Sequence, residues 1–121
     1  MNKLFNSPLW LLKLEGAVVF IIALVLYSRL ENGWLMFVLL FFVPDVSMIG
    51  YAANTKLGAT IYNLVHTYAL PAGLGLVGLF TANALLVSLS LIWFAHIGLD
   101  RLLGFGLKYP TVFKDTHLQR V

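Results

Sequence analysis

The sequence contains no cysteine, which excludes disulfides, thiolate metal sites and cysteine nucleophiles. Charge is scarce: 8 Lys or Arg and 5 Asp or Glu make 11% of 121 residues, against about 25% in an ordinary soluble domain. A chain this small could not hide so much apolar surface in water, because small domains bury a smaller fraction of their surface. No glycine-rich phosphate loop, nucleophile elbow or His-Glu-x-x-His helix is present, so the common soluble chemistries have no support. There is no internal repeat and no low-complexity tract. What remains is a chain that is 60% hydrophobic, with mean hydropathy +0.90. The bilayer is the natural solvent for that excess.

Four long apolar stretches give an all-α, polytopic integral membrane four-helix bundle. One transmembrane domain covers residues 1–121, with spans at about 9–27, 34–49, 57–80 and 84–103 and a tail at 104–121. Pro8 suits a first helical turn. Lys13 and Glu15 interrupt the first stretch, and Tyr27-Ser28-Arg29 offers no small-residue cleavage site, so this stretch reads as a retained span. Thr81-Ala82-Asn83 is so short a link that the third and fourth spans must form an antiparallel hairpin. Pro44 and Pro71 each remove a backbone hydrogen bond and predict kinks in the second and third spans. Gly73, Gly75 and Gly78 predict close helix packing. Trp10 and Trp34 fall at span ends, as interfacial rings do, whereas Trp93 lies deeper and reads as packing.

Net charge is +3 and the pI is about 9.4. The basic residues are not interleaved with aromatics, so they point to topology and anionic lipid headgroups and not to nucleic acid. With four spans, Lys3, Lys13, Lys56, Arg101, Lys108, Lys114 and Arg120 share one side and Arg29 stands alone on the other. The positive-inside rule then places both termini in the cytoplasm, in a multi-pass protein of the cell inner membrane.

The few ionisable groups inside the apolar stretches carry the chemistry. At about 1.5 Å per residue, Glu15 and Asp45 lie roughly 9 and 7 Å inside the cytoplasmic ends of their spans. By the same rise, His66, His96 and Asp100 lie roughly 13, 12 and 6 Å in. Charged groups at such depth are costly and usually face a bundle interior. His96 and Asp100 are four apart and share a helix face, as do Tyr62 and His66. A core that gathers His66, His96 and Asp100 as ligands, with Asp45 or Glu15 completing the set, suits zinc, iron or manganese. The Glu-x-x-His spacing of di-iron bundles is absent. Simpler roles stand beside this one. Glu15 can snorkel to the interface, Asp45 can satisfy backbone freed by Pro44, and Asp100-Arg101 can be an interfacial ion pair. A haem held by His66 and His96 is a further alternative, disfavoured by the neighbouring carboxylates.

The segments FFVPDVSMIGY, GATIYNLVHTYALP and WFAHIGLDRLLGFGLKYPTVFKDTHLQR, with the early Leu14-Glu15-Gly16, resemble a family of small bacterial membrane proteins, the domain of unknown function 4260 family. The resemblance covers most of the chain and implies a membrane protein. It brings no activity with it. The positions it marks as characteristic are Glu15, Pro44, Asp45, His66, Pro71, His96, Asp100, Arg101, Lys108, Tyr109, Pro110 and His117.

Gly104–Pro110 reads as an irregular turn leaving the membrane, and Thr111–His117 as a short amphipathic interfacial segment. The segment is either a lipid anchor or a lid bringing His117 and Lys108 over the site. The resulting expectation is a divalent-metal centre facing the cytoplasm, acting on a lipidic substrate. Asp45 or Glu15 would serve as general base, with Arg101, Lys108 and His117 holding an anionic headgroup. A proton or ion relay in a homo-oligomer, and a structural or assembly role, are the competing expectations.

Overall fold

The computed structural model describes residues 8–107 and Leu118, with residues 50–52 described by backbone alone. Every regular element among them is helical: α1 Pro8–Ser28, α2 Trp34–Leu40, a 3₁₀ helix Val43–Ala52, α3 Thr55–Val65, α4 Ala69–Phe80 and α5 Ala84–Leu103. Three helical stretches are long and apolar enough to cross a membrane: Pro8–Ser28, Thr55–Phe80 and Ala84–Leu103. Trp34–Ile49 is apolar but shorter. Two of the four expected spans thus agree closely with the sequence reading. The other two are interrupted by non-α geometry.

Both interruptions follow from proline. Pro44 has no N–H to give to a helix carbonyl, and the chain tightens from α2 into the 3₁₀ helix, where the Asp45 N–H donates to Phe42 O at 3.0 Å. Pro71 was expected to kink a continuous third span. Instead the helix stops at Val65 and restarts at Ala69, so Pro71 sits in the first turn of α4. That is where proline is tolerated, because first-turn N–H groups have no intrahelical acceptor.

α5 is the central helix. It buries Ser88, Ser90, Ile92, Ala95, His96, Ile97, Gly98 and Arg101, whereas α1 buries only Gly16, Ala23 and Tyr27. The seam between α1 and α5 is glycine on glycine. A Cβ on Gly98 would meet Gly16 O and Phe20 N at 2.8 Å, and one on Gly16 would meet Gly98 O at 2.6 Å. Small residues let backbones approach this closely where lipid removes the hydrophobic drive for helix association. Nearer the start of α5, Gly75 lies against Ser90 and Gly78 against Val87, as the expected α4–α5 hairpin requires. Gly73 faces open space and takes no part in that packing.

Helix ends are capped by side chains that the sequence supplies. Asn54 accepts from Leu57 N–H at 2.7 Å and Asn83 from Leu86 N–H at 3.2 Å, each satisfying an N-terminal donor. α5 ends at Gly104, in the left-handed region at φ 95°. The Phe105 N–H closes back onto Asp100 O at 2.7 Å, which ties down the turn carrying Asp100 and Arg101. Trp34, Phe37 and Phe41 form an aromatic ladder along α2, with Tyr27 of α1 packed against its first two rungs.

Candidate metal centre

The two breaks release backbone carbonyls inside the bundle, and these carbonyls orient the polar side chains. In an α-helix Phe41 O would accept from Asp45 N–H. The 3₁₀ turn diverts that donor, and His96 Nδ1 lies 2.7 Å from Phe41 O instead. At the second break the α-helical donors to Val65 O and His66 O would be Ala69 and Leu70. Trp93 Nε1 donates to Val65 O at 2.7 Å and Arg101 Nη2 donates to His66 O at 2.8 Å. Helix breaks at membrane depth persist where neighbouring helices satisfy the freed groups in this way.

His66 closes α3, with its backbone N–H on Tyr62 O at 2.9 Å. Its Nδ1 also lies 2.9 Å from Tyr62 O, and its ring stacks on Tyr62 at 3.7 Å between centroids, 6° from parallel. A carbonyl oxygen only accepts, so Nδ1 is the protonated nitrogen in both imidazoles, and the tautomer follows from this partner. In the neutral rings both Nε2 lone pairs therefore point inward. They face each other at 3.3 Å.

Two carboxylates complete the set. Asp45 Oδ1 lies 3.1 Å from His96 Nε2 and 3.4 Å from His66 Nε2. Asp100 Oδ2 lies 3.3 Å from His96 Nε2 and 3.6 Å from His66 Nε2. All four ligand atoms lie within 4.8 Å of one another. The imidazoles are buried (0% and 2% exposed), while Asp45 is 36% and Asp100 16% exposed. The centre is thus closed on its nitrogen side and open on its carboxylate side.

With ionised carboxylates the four groups direct two negative charges and two lone pairs at one point, an arrangement that a metal ion or shared protons can balance. The spacing fits a metal ion. Tetrahedral bonds of about 2.0–2.1 Å have ligand–ligand edges of about 3.3–3.4 Å. Five of the six separations run from 3.1 to 3.6 Å, and the sixth, between the two carboxylates, is held only within 4.8 Å. They do not fit a bis-histidine haem. Axial nitrogens on opposite faces of a porphyrin stand about two metal–nitrogen bonds apart, about 4 Å, with the ring between them. Here the nitrogens converge at 3.3 Å and carboxylates flank the gap.

Of the residues singled out from sequence, the structure brings together Asp45, His66, His96 and Asp100. Glu15 is not among them. It is exposed on α1, and α1 docks on Gly98, two residues from His96 and hence about 200° around α5. α1 therefore packs behind the helix whose front carries the centre. Arg101 is buried, and its guanidinium donates to His66 O and to Phe105 O at 3.0 Å. It ties the end of α3 to the turn that follows α5. Lys108 and His117 lie outside the described residues. Sequence reading missed the parts played by Phe41, Tyr62 O and Trp93. The signal for Phe41 was Pro44 three residues on, and the signal for Trp93 was the helix break before Pro71.

The family described as Domain of unknown function (DUF4260) has a model that matches residues 10–121. The chain belongs to this family. The match covers all four centre residues and both prolines that shape it. Searches of curated proteins and of solved structures return no match.

Proposed function

We propose that this protein is an integral membrane metalloprotein whose His66, His96, Asp45 and Asp100 hold one divalent transition-metal ion, zinc, iron or manganese, for hydrolytic chemistry on a lipidic substrate. The observation that carries this reading is the convergence of two inward Nε2 lone pairs and two carboxylates at metal-ligand spacing. A bound ion there supplies Lewis acidity, polarising a carbonyl or phosphoryl oxygen and acidifying water. The residues do the rest. Phe41 O and Tyr62 O hold the imidazoles in register, as carbonyl partners do for metal-bound histidines. Asp45, the more exposed carboxylate, can move between ligand and general base. Substrate reaches the centre from the membrane surface on the carboxylate side.

An ion path would need polar groups continuing beyond the centre. The groove beside it is apolar, built of residues such as Val43, Ile61 and Leu89, and offers an ion no path on that side. The test is metal binding by protein purified in detergent and stripped with chelator. The expected result is uptake of one zinc or manganese per chain, falling at least a hundredfold in affinity in His66→Ala and His96→Ala while Glu15→Ala binds normally. No saturable uptake by the unaltered, folded protein would end the proposal.

A further inference from the structure

Beside the centre lies a cavity of about 550 Å³ between the 3₁₀ helix, α3, α4 and α5. Its wall includes Val43, Ser47, Ile61, Val65, Leu89 and Trp93. The four ligands do not line it, but its wall holds the chain neighbours of two of them. Pro44 in its wall precedes Asp45, Val65 precedes His66, and Ile92 stands one turn before His96 on α5. It is a groove open on one side, with Val43, Val46 and Ile49 of its wall exposed, and its volume lies within the range of about 300–1,000 Å³ typical of ligand clefts. The wall is hydrocarbon except for Ser47, which is 8% exposed and whose Oγ is buried without a hydrogen-bond partner. A buried hydroxyl left unmade costs about 1–3 kcal/mol. An occupant bearing an oxygen would satisfy it.

We infer that this cavity seats the hydrocarbon chain of a single-chain fatty acid, with its carboxylate end at Ser47 and the adjoining metal centre. The inference rests on the metal reading for its head end and on the cavity alone for its tail end. Lipid tails are as apolar as the cavity wall, so moving a chain from bilayer to cavity brings no hydrophobic gain. Selectivity therefore resides in the polar end. The Ser47 hydroxyl donates to one oxygen, and the other would enter the shell of the ion, whose charge Asp45 and Asp100 already balance. An apolar slot ending at one hydroxyl and a place for an oxygen ligand matches a carboxylate-bearing amphiphile better than a neutral hydrocarbon or a polar solute.

Trp93 lines the cavity and can report on it. The chain has three tryptophans, so Trp10→Phe with Trp34→Phe leaves Trp93 as the sole emitter. In detergent, this protein is titrated with a fatty acid dibrominated at mid-chain, metal-free and zinc-loaded. The expected result is saturable quenching of Trp93, reversed by the unbrominated acid and tightened at least fivefold by zinc. Ile61→Phe, which fills the cavity, should weaken it at least tenfold, and Ser47→Ala, which leaves the cavity open, about fivefold. Quenching that rises in proportion to brominated acid without saturating, indifferent to Ile61→Phe, would overturn the inference, because it would report bulk amphiphile only. Equal competition by a two-chain phospholipid would overturn the single-chain assignment. Saturable binding unchanged by zinc, in a preparation shown to contain zinc, would overturn the link between tail and centre. Failure of the metal reading itself would show separately, as absence of zinc from the same preparation, with the metal-free titration still reading the tail site.

Discussion

The two sides of α5 are built on opposite principles. On one side α1 is a continuous 21-residue helix that crosses at Gly16 and Gly98, backbone against backbone. On the other, Pro44 and Pro71 break the chain into short helical pieces, and every break leaves a carbonyl that a side chain then takes up. The regular side has no ligand of the centre and the broken side has two of the four, Asp45 and His66; His96 and Asp100 are α5's own, His96 held from the broken side by its bond to Phe41 O. The contrast shows how a bundle of helices apolar enough to cross a membrane obtains rigid polar geometry. In hydrocarbon the backbone is the main store of hydrogen-bond acceptors, and these become available only where a helix is interrupted.

This contrast can be broken first at the seam. Gly98→Leu forces α1 away from α5, since its Cβ already meets backbone atoms at 2.8 Å that cannot rotate aside. Destabilisation of about 3 kcal/mol or more is expected, read as loss of monodisperse protein or a sharply lowered melting temperature in detergent. A normally stable Gly98→Leu would mean that α1 does not dock there.

The broken side is tested by mending it. In Pro44→Ala the new N–H favours continued α-helix, which returns Phe41 O to Asp45 N–H and takes it from His96. The fold should survive, while metal affinity falls about 10- to 100-fold, the usual effect of losing a partner behind a metal-bound histidine. Unchanged affinity would show that the carbonyl does not orient His96. Arg101→Lys is the next smaller step. A lysine has no planar fork with which to bridge His66 O and Phe105 O, and about tenfold weaker metal binding is expected in isothermal titration. The smallest effect is the control for the seam. Gly73→Ala adds a methyl to open space inside α4 and should stabilise by about 0.5–1 kcal/mol through helix propensity alone, seen as a small rise in melting temperature.

Much of this was legible in the residues. Hydropathy located α1 and α5 almost to the residue, because unbroken apolar runs bounded by polar turns leave little choice. The four-residue spacing of His96 and Asp100 placed them on one face, and depth alone put His66 and Asp45 at a compatible level. The place of Glu15 outside the cluster has a geometric origin. Depth fixes position along a helix but not the angle around the bundle, and Gly98, two residues from His96, sends α1 to the far face of α5. The third span was read as kinked when it is cut, because a proline marks trouble within the preceding turn without saying whether the chain bends or restarts. Arg101 was read by its charge, whereas its place is decided by two carbonyls that exist only once the helices have ended. Tertiary release of backbone acceptors has no one-dimensional signature apart from the prolines themselves.

The central claim is that His66 and His96 turn their Nε2 atoms, together with Asp45 and Asp100, onto a single ion. X-ray absorption at the zinc edge of the loaded, detergent-purified protein tests this most directly. The account predicts a first shell of nitrogen and oxygen at about 2.0–2.1 Å, with outer-shell scattering from two imidazoles that drops to one in His66→Ala or His96→Ala. An all-oxygen shell without imidazole scattering, in protein carrying one zinc per chain, would contradict it.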